Sequence, residues 1–120
     1  MKKILNISNH TLGLDQINEL ASMGYQVEEL PEELKKEWAQ LSPDTYHEVC
    51  NKIRNYMVEN HVDATHVAGF PAAVNYFIKN SIVFDNYYAY SERVSVEETL
   101  ADGSVVKKNI FKHKGFYKYD

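Results

Sequence analysis

The stretch Thr65-His66-Val67-Ala68-Gly69-Phe70-Pro71-Ala72-Ala73 decides the fold. Its first four residues read as a buried strand that ends at Gly69. Pro71 then opens a helix with Ala72, Ala73, Val74, Phe77 and Ile78 on its apolar side. Proline suits the first helical position because its missing N–H has no intrahelical partner to lose. The segment is therefore a strand, a tight glycine turn and a helix N-terminus. In an open α/β sheet that turn lies where ligands bind, and the helix end presents free N–H groups to an anion.

Outward from this turn, the pattern repeats. Lys2 to Ile7 reads as a first strand and Ser8-Asn9-His10 as a polar turn. A helix from Leu12 to Ser22, capped by Thr11, carries Leu14, Ile17, Leu20 and Ala21 at helical spacing, and Gly24 ends it. Tyr25 to Leu30 is a second strand, and Pro31 starts a short helix over Glu32 to Ala39. Ser42-Pro43-Asp44 marks a third helix start. Tyr46, Val49, Cys50, Ile53 and Met57 then form one apolar stripe up to about Asn60. After the Pro71 helix comes an aromatic strand, Asn86 to Ser91, with a bend at Glu92-Arg93. Strands Val94 to Leu100 and Ser104 to Lys112 follow, joined by a two-residue turn at Asp102-Gly103, and then an extended tail. Strands alternating with helices predict an α/β fold: a Rossmann-like, mostly parallel sheet flanked by helices, with a C-terminal β-hairpin arm. Residues 1–120 fit a single domain.

The chain is 44% apolar and 25% charged, which is globular rather than disordered. A net charge of −4 argues against tight non-specific binding to nucleic acid, so DNA is not an expected partner. No apolar run is long enough for a bilayer, and the first residues lack a signal peptide's apolar region. The single cysteine, Cys50, has no partner and sits on the apolar stripe, so it reads as core. A cytoplasmic protein without a membrane partner is expected. Acidic residues gather in the first half and lysines at the end.

Three polar or glycine-rich strand ends fall on one edge of a parallel sheet, and they define the expected site. They contribute Ser8, Asn9 and His10; Gly69, Phe70, Pro71 and Ala72; and Ser91 and Arg93. Hydroxyls, an amide, an imidazole, a guanidinium and bare backbone N–H groups suit phosphate and ribose. Arg93 reads as a phosphate ligand or as an ion pair with Glu92 or Glu97. Phe70 reads as a base-stacking ring or as core packing. His10 reads as a phosphate donor, an acid or base, or a structural cap. Lys112, His113 and Lys114 form a second basic cluster that would close the site from the tail or from a partner subunit. His61 and His66 straddle a helix end and a strand, so no metal is expected. No Walker motif, dinucleotide fingerprint or nucleophile elbow occurs, no paired carboxylates stand out, and no cofactor is implied.

Several segments taken together carry a resemblance: Ile4-Leu5-Asn6-Ile7-Ser8-Asn9-His10, Leu30-Pro31-Glu32-Glu33-Leu34-Lys35-Lys36-Glu37-Trp38, Ala68 to Ala73, Tyr88-Ala89-Tyr90-Ser91-Glu92-Arg93, Asp102 to Lys108 and Phe111 to Phe116. Over nearly its whole length the chain resembles phage anti-Thoeris sponge proteins, which sequester a cyclic ADP-ribose isomer. It is also similar to small CRISPR-associated ring nucleases, which degrade cyclic oligoadenylate. The sponge resemblance implies a non-enzymatic homodimer or higher homo-oligomer in the host cytoplasm, with pockets between subunits. It further implies cyclic trinucleotide binding at a second site in some members. The ring-nuclease resemblance implies metal-independent cleavage, with His10 or His113 as the acid or base. Tyr90-Ser91-Glu92-Arg93 departs from the threonine and lysine that precede the arginine there, which favours the sponge. A protein-interaction module built on the aromatic hairpin is the third class.

Overall fold

The computed structural model describes residues 1–120. Nine elements follow one another: β1 (Lys2–Ile7), α1 (Leu14–Ser22), β2 (Tyr25–Glu29), α2 (Glu32–Ala39), α3 (Tyr46–Glu59), β3 (Ala64–Val67), α4 (Pro71–Lys79), β4 (Asp85–Thr99) and β5 (Val105–Lys118). The strands form one sheet in the order β2-β1-β3-β4-β5. β2, β1, β3 and the root of β4 run parallel, and β5 returns antiparallel to β4. The chain is thus mixed α/β, mostly parallel, with an antiparallel C-terminal hairpin.

Strand alternation splits the core in two. Leu5, Ile7 and Val67 point to the face that packs against Trp38 of α2, Val49, Cys50, Ile53 and Met57 of α3, and Ala73 and Phe77 of α4. Ile4, Ala64 and Tyr87 point to the opposite face with Leu20 of α1 and Phe116 of β5. Three helices therefore cover one face and a single helix the other. This follows from the order: the chain leaves β1 towards β2, then reverses and crosses to β3 and β4. With right-handed crossovers, the reversal puts α1 opposite the other helices. The reversal point lies between β1 and β3, at their carboxyl ends. Fully buried Ile53 anchors the larger core and contributes about 2 kcal/mol by leaving water.

Four local readings are corrected. α1 begins at Leu14, not Leu12, with Gly13 rather than Thr11 at the cap, and the Gly13 N–H donates to Gln16 Oε1. α3 begins at Tyr46, because Ser42 to Thr45 closes a turn of its own through the Ser42 and Thr45 hydroxyls. No bend occurs at Glu92-Arg93. β4 runs unbroken through them, and the irregularity is a bulge in the β4–β5 ladder beside Tyr90 and Ser91. The hairpin loop has three residues, Ala101-Asp102-Gly103. Leu100 O accepts the Gly103 N–H and Leu100 N–H donates to Ser104 O, with Gly103 at φ 88° in the left-handed region.

Beyond the bulge the two strands leave the body as an arm. The radius of gyration is 17.1 Å, against about 14 Å for a compact chain of this length. The long axis is 57 Å.

Candidate functional site

At the carboxyl ends of β1 and β3 a polar network replaces the apolar core. Asn6 and His66 are paired in register and both buried. Asn6 Nδ2 donates to the His10 carbonyl at 2.8 Å and to Glu29 Oε2 at 2.9 Å. Asn6 Oδ1 accepts from the Ser8 hydroxyl at 2.8 Å and lies 2.9 Å from His66 Nδ1. Because Oδ1 only accepts, His66 carries its proton on Nδ1. Its Nε2 is then a bare lone pair, buried with no partner. Burial, with a smaller contribution from His113, pushes the His66 imidazole down to about 4, so it is neutral at physiological pH.

One residue further along, β3 and β4 part, and a cavity of about 580 Å³ opens between them and α4. Val67, Ala68 and Gly69 form one wall, Pro71, Val74, Asn75 and Ile78 of α4 a second, and Tyr88, Ala89, Tyr119 and Asp120 a third, with His66 at the edge. The Tyr119 hydroxyl donates to the Val67 carbonyl at 2.7 Å, which pins the C-terminus across the cavity. Tyr88 meets Tyr119 edge-on at 5.1 Å. Burial, with Tyr88 beside it, raises the Tyr119 hydroxyl above its ordinary value.

The glycine turn has a packing reason as well. Trp38 reaches over from α2 and donates its indole N–H to the Ala68 carbonyl at 2.9 Å. A Cβ on Gly69 would stand 2.8 Å from Trp38 Nε1, at a φ of +153° that side chains rarely adopt. Only glycine fits. Pro71 opens α4 as its first residue, and no side chain caps the helix.

Among the expected site residues, only Gly69 and Pro71 line this cavity. Ser8 is buried within the Asn6 network, donating inward. Asn9 and His10 are exposed at the same turn, where the carbonyl of His10 accepts from Asn6 and Ser8. Phe70 packs edge-on against Tyr46 at 6.1 Å and joins the larger core. Ala72 is half-buried on α4 outside the lining. Ser91 and Arg93 are not at a strand end. They lie inside the continuous β4 on the arm, both exposed, and Arg93 has no carboxylate within 4 Å. Lys112 is exposed on the arm, and Lys114 pairs with Glu92 at 3.6 Å. His113 turns to α1, where its Nε2 lies 2.6 Å from Glu19 Oε2.

The cavity residues Asn75, Tyr88, Tyr119 and Asp120 escaped the sequence reading, as did the partnership of Asn6 with His66. The signal for that pair was present: an asparagine and a histidine set within otherwise apolar strands. No lysine or arginine lines the cavity. Lys107, Lys108 and Lys112 sit on the arm instead, Lys114 at its bulge, and Lys118 pairs with Asp85 at the root of β5.

No curated protein and no solved structure matches the chain. A family model described as "Uncharacterized protein MJ1673 family" matches residues 2–117. That match runs from β1 through the parallel sheet to Tyr117 of β5, and the protein belongs to the MJ1673 family.

Proposed function

We propose that this Rossmann-like protein binds a nucleotide signal in the cavity beside Gly69 and holds it without converting it. The ligand in this reading is a cyclic ADP-ribose isomer, and the role is that of a phage anti-defence sponge against Thoeris immunity, acting in the host cytoplasm. The carrying observation is the cavity itself. About 580 Å³ falls within the range of small-molecule sites. Tyr88 and Tyr119 offer aromatic surface for a base or ribose, and the Asn75 side chain offers an amide to the ligand's polar groups. The lining supplies no nucleophile paired with a base.

The missing cations bear on assembly. A second copy's arm, carrying Arg93, Lys112 and Lys114, would bring positive charge to the mouth of the cavity. This supports the expected homodimer or higher homo-oligomer. Strands β4 and β5 of the arm are exposed on both faces, a state in which two-stranded ribbons are marginal alone.

One observation favours a second reading. His10 stands exposed at the turn after β1, where its imidazole is open to a substrate, as an acid or base must be in a metal-independent ring nuclease acting on cyclic oligoadenylate.

A single experiment separates the two. The protein is incubated with each cyclic nucleotide, freed of unbound ligand, heat-denatured, and the released small molecule chromatographed. Intact cyclic ADP-ribose isomer supports the sponge. A linear oligoadenylate product that disappears in His10→Ala establishes the nuclease instead. Failure to retain or convert either ligand removes both readings and leaves the interaction module.

A further inference from the structure

The arm leaves the body at one irregular point. Tyr90 pairs with Gly115 and Ser91 with His113, so Lys114 stands unopposed in β5. Such a bulge disrupts the ladder locally and bends the strand that carries it. Outward of it, from Ser91 to Lys112, every residue but Val94 is exposed. The Lys114–Glu92 ion pair ties the two strands to each other and does nothing to hold the arm against a helix.

One side chain does hold it. His113 is mostly buried, its side chain 14% exposed, and its Nε2 lies 2.6 Å from Glu19 Oε2 of α1. Its Nδ1 lies 3.4 Å from Gln16 Nε2, which can only donate. Nδ1 is therefore the acceptor and Nε2–H the donor to Glu19. Phe116 packs between two imidazoles, 4.9 Å from the His113 ring and 5.5 Å from that of His66. Glu19 also lies beside Gly115, where a Cβ would stand 3.4 Å from its Oε1. Gly115 thus lies in van der Waals reach of the carboxylate, and an aromatic ring backs the imidazole.

We propose that the β5 bulge at Lys114 is the hinge of the β4–β5 arm and that the His113–Glu19 contact is the catch that fixes the arm's angle against α1. Arg93 and Lys112 lie beyond the hinge and Lys114 on it, so the catch sets where these cations are presented. Releasing it leaves the body folded, because the α1 core residue Leu20 packs with Ile4, Tyr25, Ala64 and Tyr87 without help from His113. The device does not depend on which ligand the cavity takes.

The test is a distance distribution. Spin labels are placed at Asn55→Cys on α3 and Ala101→Cys at the arm tip, in a Cys50→Ala background diluted with unlabelled protein. With the catch intact, one narrow distribution is expected. Glu19→Ala is expected to widen it at least twofold, whereas His113→Gln alone, which keeps an N–H donor for Glu19, is expected to retain most of the narrow form. A Glu19→Ala distribution as narrow as that of its parent overturns the proposal. Should the variants misfold, amide exchange on the unsubstituted protein decides. A sharp fall in protection between Phe116 and Lys112 is expected at the bulge. Protection continuing undiminished through Arg93 to Val96 rules out a hinge there.

Discussion

Acidification from about pH 7.5 to about pH 4 should cost the protein about 3 kcal/mol through His66 alone. The unfolded chain's histidine titrates at its ordinary value of 6.5, whereas in the fold the group is held down to about 4. As pH falls through that window the unfolded state takes up a proton that the folded state refuses. It therefore binds more protons, and stability rises with pH. The His66 contribution is complete above 6.5, is reduced by about 2 kcal/mol at about pH 5, and is gone below about 4. The physical cause is the fixed tautomer. Nδ1–H is committed to Asn6, and a proton on Nε2 would find only the Phe116 ring and the His113 imidazole. Carboxylates also titrate in this range, so the measurement is a difference. Urea unfolding followed by far-ultraviolet circular dichroism is run on the wild type and on His66→Asn at several pH values. The gap between the two should close or reverse by about 3 kcal/mol on acidification, which is a relative midpoint shift of about 1–2 M urea for a domain of this size. A gap that stays constant across the window refutes the buried, singly committed imidazole.

Three further outcomes follow from the same geometry. Gly69→Ala should destabilise by about 2–4 kcal/mol, because its Cβ meets Trp38 Nε1 while the backbone sits where side chains are strained; thermal unfolding reads this directly. Tyr119→Phe should cost about 1 kcal/mol by removing the donor to the Val67 carbonyl. On the proposed function it should also weaken ligand retention severalfold in equilibrium dialysis, and unchanged retention would detach the C-terminus from the site. Asn6→Leu should cost about 3 kcal/mol or more, since it strips partners from Ser8, His66 and Glu29 at once, and the double variant Asn6→Leu/His66→Leu should recover part of that loss.

The fold was legible wherever one face of an element is buried. Pro71 opening a helix after Gly69, and the stripe Val49, Cys50, Ile53 and Met57, both lie where the pattern of apolar residues places them. Legibility failed at the arm. With both faces in water, Ser91 to Lys112 carries no burial signal, so polar Glu92 and Arg93 inside a continuous strand read as a bend. That error moved Ser91 and Arg93 to a strand end and into a site they do not line. The cavity itself depends on where β3 and β4 part, and on Tyr119 returning from the far end of the chain to Val67. Both are matters of register between distant segments, which composition does not encode. His66 read as unremarkable because its significance lies in a partner sixty positions away.

The placement of Trp38 has a practical consequence. It is the only tryptophan in the chain, and it bonds to Ala68 and lies against Gly69, two residues that line the cavity. Indole emission responds to hydrogen bonding and to nearby charge. The protein therefore carries its own optical reporter at the wall of its candidate site. Ligands can be screened label-free by the colour and intensity of one fluorophore, without first knowing what the ligand is.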